Sequence, residues 1–165
     1  MRLMAFPVII IAMVLVFGIL IFGMLNPTAG SPYDKILDAG EIAGDWTVTE
    51  ESERLNTWDR QGGSQMVTRT YTLSNSTLMI EITEYYEERA ERSFPTQEPP
   101  DGVASKPVNL GDEGLFWISD GRMYIHYRLG GNIVFSWLDD GGNPDLDEGW
   151  FLELMGLQEI KISGR

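Results

Sequence analysis

Between residues 139 and 148 the chain gathers oxygen ligands at close, partly alternating positions: Asp139, Asp140, Asn143, Asp145, Asp147 and Glu148. Alternating carboxylate and amide oxygens are how a loop wraps a hard cation such as Ca²⁺. The match to a calcium loop fails in detail. Counted from Asn143, the sixth position requires Gly and holds Glu148, and the twelfth requires Glu and holds Leu154. The same residues read as a helix start, with Asn143 as cap, Pro144 in the first turn, and acids at the positive end of the dipole. That reading is preferred. Asp139, Asp140, Asn143, Asp145 and Asp147 stand as the candidate metal ligands, calcium being the one cofactor they suggest.

His126 is the sole histidine, and the chain has no cysteine. Thiolate chemistry, disulfides and a His/Cys zinc site are therefore excluded. A general base needs a nucleophile within reach, and the sequence offers His126 none. Alternation along 122–129 puts Met123, Ile125, Tyr127 and Leu129 inward and Arg122, Tyr124, His126 and Arg128 on the opposite face. Lining a groove there, Tyr124, His126 and Arg128 would suit an anion or a peptide carboxylate, so these three are the candidate ligand-binding residues. Asn75-Ser76-Thr77 is a glycosylation sequon in an expected turn, which makes Asn75 a candidate modification site. There is no P-loop, no Rossmann fingerprint and no nucleophile elbow. No catalytic set emerges, and a non-enzymatic protein is expected. A hydrolase working through carboxylates or calcium is the weaker alternative.

Residues 8–25 form an unbroken apolar run of 18 residues. As a helix it would cover about 27 Å, close to a hydrocarbon core of about 30 Å. The run is longer than a cleavable signal core, and Thr28-Ala29-Gly30 after it is a poor cleavage site. Residues 1–25 therefore read as a signal anchor, spanning the membrane over 3–25. Arg2 is the only basic residue ahead of the run, which places the N-terminus in the cytoplasm and the rest outside. Beyond residue 25 the chain holds 25 acids against 11 bases, a net of −14. Nucleic acid and anionic lipid would be repelled. A protein partner at the outer membrane face remains open.

Residues 26–44 read as linker and lead-in, and 45–165 as an α+β domain. Alternation marks strands at 45–51, 65–73 and 78–86, with 52–63 as a loop and Ser74-Asn75-Ser76 as a turn. Residues 84–92 suit a short helix, and 96–107, with three prolines, a loop. Strands follow at 115–119, 122–129 and 132–138, joined by Asp120-Gly121 and Gly130-Gly131. The last of these is nearly all apolar, as a central strand covered on both faces would be. A helix from Pro144 follows, with Leu146, Trp150, Phe151 and Leu154 inward. It is expected to stop at Gly156, ahead of a final strand at 158–162 that turns Ile160 and Ile162 inward. The sum is a mostly antiparallel sheet with one or two helices packed on it. An all-β sandwich is the runner-up.

From Leu110 onward the chain reads LGDEGLFWISDGRMYIHYRLGGNIVFSW, and Ala43-Gly44-Asp45-Trp46 precedes it. This text resembles a pattern in exported, membrane-anchored prokaryotic domains of unknown function, some of them similar to the Mog1/PsbP-like α+β fold. Gly114 replaces the usual Ala, and an extra Gly precedes Asn132. The resemblance implies a binding, sensing or accessory module and carries over no site residue. The expected function is thus a membrane-anchored extracytoplasmic binding or sensing module, with an accessory subunit of a membrane or surface assembly as alternative.

Overall fold

The computed structural model describes residues 32–56, 64–85, 87–94 and 99–164. The apolar run at 8–25, the proposed span 3–25, the linker up to residue 31 and the loop at 57–63 lie outside these. Among the described residues no helix is long and apolar enough to cross a membrane.

Seven strands form one antiparallel sheet: β1 Thr47–Asn56, β2 Ser64–Leu73, β3 Ser76–Glu84, β4 Ser105–Pro107, β5 Glu113–Ser119, β6 Arg122–Leu129 and β7 Asn132–Asp139. Their order is β1-β2-β3-β7-β6-β5-β4. The chain climbs one half of the sheet, crosses to the far edge, and returns through a meander that closes on β3. The apolar β7 is thereby the middle strand. Among the described residues two helices complete the α+β architecture, α1 Glu87–Ser93 and α2 Glu148–Ser163. One continuous sheet with helices packed on it replaces the all-β sandwich.

Alternation assigns the two faces. On one, Tyr71, Leu78, Ile80, Ile82, Ile125, Tyr127, Val134 and Leu138 meet Phe151, Leu154 and Met155 of α2 in the main core. On the other, α1 sets Ala90 beside Phe94 and Ile133 in a small second cluster. The core also takes in Ile36, Leu37 and Ile42 from the lead-in, which carries two short 3-10 turns at Pro32–Lys35 and Ala39–Glu41.

Three local expectations are corrected. The C-terminal helix is capped by Asp147, not Asn143: the Asp147 carboxylate accepts from the Trp150 amide at 2.9 Å. Asn143 instead closes a turn, its Oδ1 accepting from the Asp145 amide at 3.1 Å. The helix then runs through Gly156 to Ser163, so there is no strand at 158–162. Phe151, Leu154, Met155 and Gln158 are buried at i, i+3, i+4 and i+7, a helical stripe that outweighs the cost of about 1 kcal/mol for an interior glycine. Ile160, expected inward, is half exposed. Finally, β1 extends to Asn56 through residues read as loop, because backbone pairing with β2 holds it despite its polar side chains.

Candidate functional site

Strand register decides which side chains share the face that α1 covers only in part. Trp137, Tyr124 and Trp117 stand side by side across β7, β6 and β5. One row further along, Glu81 on β3 faces Phe135 on β7, which faces His126 on β6. The Trp117 and Tyr124 rings stack with centroids 5.3 Å apart and planes 3° from parallel. Phe135 tilts against both at 6.2 Å.

These three rings line an open hollow of about 430 Å³, with Glu81 and Pro100 on its wall and Ser119 and Asp120 at the β5–β6 turn. Asp120 adopts φ 50° and Gly121 φ 75°, the left-handed pair of a tight two-residue hairpin turn. This turn holds the Asp120 carboxylate at the rim. The Glu81 carboxylate is partly buried and accepts one hydrogen bond, from Thr68 Oγ1 at 3.5 Å. Among the described residues it forms no ion pair. Burial pushes its pKa above the ordinary 4.5, against the lowering effect of the Thr68 bond and the Arg54 charge.

The structure places Tyr124, His126 and Arg128 on this one face and gives each a different environment. Tyr124 lines the hollow. His126 is fully buried, stacked on Phe94 of the α1 end at 4.4 Å with Phe135 edge-on at 6.2 Å. Arg128 is buried too. Its Nη1 reaches Asp112 Oδ2 at 3.1 Å and its Nη2 reaches Glu113 Oε1 at 3.3 Å. Two carboxylates thus neutralise the guanidinium that an anion would need, and the hollow itself is acidic. Of the three, Tyr124 alone lines this hollow.

The acidic cluster is tied up in backbone turns. Asp139 accepts from the Gly141 amide at 3.2 Å and pairs with Arg122 at 3.4 Å, and Asp140 accepts from the Gly142 amide at 2.8 Å. Asn143 and Asp147 serve the turn and cap already described, and Asp145 is exposed. Among the described residues no three His, Asp or Glu side chains converge as metal ligands would. Asn75 lies exposed in the β2–β3 turn, beside the buried Ser76 whose hydroxyl donates to the Asp140 carbonyl at 2.6 Å.

Sequence reasoning passed over Glu81, Trp117 and Phe135. The available signal was a carboxylate alone in the middle of an otherwise apolar and Thr-rich strand. What it faces depends on pairing between β3 and β7, which no local pattern encodes. The architecture defines the class, an α+β domain with a single antiparallel sheet. Comparison with protein-family models, curated proteins and solved structures yielded no match.

Proposed function

We propose that this chain is a membrane-anchored, non-enzymatic binding or sensing module working outside the cytoplasm, with the aromatic hollow as its ligand site. One observation carries the reading: Glu81 sits partly buried among Phe135, Tyr124 and Trp117 without an ion-pair partner among the described residues. An acid in that setting opposes folding when ionised. A carboxylate that costs stability, with one long hydrogen bond from Thr68 and no ion pair among the described residues, suits a ligand. The apolar run at 8–25 supports the anchor, and Arg2 ahead of it supports a cytoplasmic N-terminus. The likeness to exported anchored domains agrees with both. A net charge of −13 speaks against nucleic acid as partner.

The stability cost is directly testable. Because the folded pKa of Glu81 is raised, its protonated form favours the fold. That contribution is full below the ordinary value of 4.5 and is lost as pH rises through the folded pKa. Glu81→Gln is therefore expected to melt higher than the parent at pH 7, with the advantage shrinking as the pH falls toward 4.5. A variant that melts lower at pH 7 would show that the carboxylate is a structural ligand.

The alternative, an accessory subunit, is favoured by the outer surface of α2, where Leu157 and Ile160 are about half exposed beside Trp150. Gentle detergent extraction of the native full-length protein, followed by sizing, separates the two readings. Recovery from the membrane fraction as a monomer or homo-oligomer is expected. A stoichiometric partner protein would make the chain an accessory subunit, and recovery in the soluble fraction would remove the anchor.

A further inference from the structure

We infer that the hollow on the α1 face takes a small organic cation, an ammonium group carrying methyl or methylene carbons. The inference rests on the hollow being the ligand site and names what that site selects. Three features converge on it. The faces of aromatic rings are the negative ends of their quadrupoles, and a weakly hydrated cation is drawn to them. Trp117, Tyr124 and Phe135 supply three such rings within 6.2 Å of one another. Glu81 on the wall and Asp120 on the rim add two carboxylates, and among the described residues no Lys or Arg lines the hollow.

Two arginines near the hollow are already engaged. Arg122 lies over the Trp137 ring at 4.6 Å and pairs with Asp139. Arg128 pairs with Asp112 and Glu113. Arg54 stands on β1 on the same face and reaches Glu81 only through its field. A site whose charge is not balanced from within the protein leaves the balance to its occupant. The overall negative charge raises the local concentration of any cation approaching it.

Other occupants fit less well. An anion meets two carboxylates. A metal ion needs several oxygens at short range, and no such group of acids forms. A sugar stacks on aromatic rings but also requires donors for its hydroxyls. The lining holds such donors in the Ser119 and Tyr124 hydroxyls and the Trp117 indole N–H, but a neutral sugar would leave the charge of both carboxylates unbalanced. An ammonium bearing carbons meets both halves of the lining, its charge facing the acids and its carbons facing the rings.

The test compares choline with 3,3-dimethyl-1-butanol, which has the same shape and no charge, each titrated by NMR into the detergent-solubilised full-length protein. Choline is expected to bind at least about tenfold more tightly, from a charge contribution of cation–π and ion-pair size. Glu81→Gln should erase most of that preference while leaving the neutral compound unchanged, with its melting curve as the control for folding. Equal binding of the two compounds, lost together in Tyr124→Leu, would overturn the cation while leaving the hollow as a ligand site. Failure of both to shift the Trp117 and Tyr124 signals would overturn the site and the cation together.

Discussion

Gly111→Ala is expected to destabilise the domain by about 3 kcal/mol or more, through conformation and overlap together. Gly111 has φ +60°, a left-handed backbone that disfavours a β-carbon by about 1–2 kcal/mol. The larger effect is steric. A β-carbon there would stand 2.1 Å from the Arg128 carbonyl oxygen and 2.9 Å from its carbon, both backbone atoms of β6. No side-chain rotation relieves that overlap. Nor can the segment easily retreat, since Leu110 is buried, the Gly111 amide donates to Glu159 of α2 at 3.2 Å, and the Asp112 amide donates to Arg128 O at 2.7 Å. Gly102 provides the control. Its φ is +83°, but nothing lies within 4 Å of where its β-carbon would be. Gly102→Ala should lose only the conformational part, about 1–2 kcal/mol. Chemical denaturation of both variants reads the difference directly. Equal losses would show that β6 and the 108–112 segment move apart freely.

The distinction between those two glycines is invisible in the sequence, and it marks where legibility ends. Strand pairs closed by short turns were readable, because Ser74-Asn75, Asp120-Gly121 and Gly130-Gly131 act locally on the residues beside them. The β2–β3 and β5–β6–β7 units follow from this, and the apolar composition of 132–138 marks β7 as a central strand. The β3–β7 pairing does not. It joins segments separated by α1, a proline-rich stretch and three strands, and it alone brings Glu81 to Phe135. The hollow is thus a product of nonlocal register.

The candidate residues on β6 show the same boundary. Alternation put Tyr124, His126 and Arg128 on one face. What each can do was decided by neighbours from elsewhere in the chain. Phe94 closes over His126, Asp112 and Glu113 neutralise Arg128, and Trp117 stacks on Tyr124. The helix end was misread for a related reason. Gly156 is a stop signal only where nothing compensates, and the buried stripe from Phe151 to Gln158 is held by contacts with distant residues.

Gln158 ties that helix to the lead-in, and Gln158→Leu should lose about 2–4 kcal/mol despite its similar volume and greater hydrophobicity. The side chain is fully buried. Its Oε1 accepts from the Leu37 amide at 3.0 Å, and its Nε2 donates to the Lys35 carbonyl at 2.6 Å. Among its described residues the lead-in pairs with no strand, so this amide group serves its backbone, as Arg69 and Tyr71 serve the Leu37 carbonyl. A leucine would leave the buried Leu37 N–H unsatisfied, at about 1–3 kcal/mol, and the part-buried Lys35 C=O at a smaller cost. The nearby ion pairs of Lys161 with Asp38 and Glu41 cannot substitute, because exposed pairs contribute only about 0–1 kcal/mol. Lys161→Met is accordingly the contrast, with a loss below about 1 kcal/mol. Hydrogen exchange distinguishes the mechanism from a general loss of packing. The Leu37 amide should lose protection in Gln158→Leu well before the amides of β3 and β7, since only its own acceptor is gone. Retained protection at Leu37, or equal loss across the sheet, would mean that the lead-in is held without Gln158, by burial of Ile36, Leu37 and Ile42 and by the bonds of Arg69 and Tyr71 to the Leu37 carbonyl.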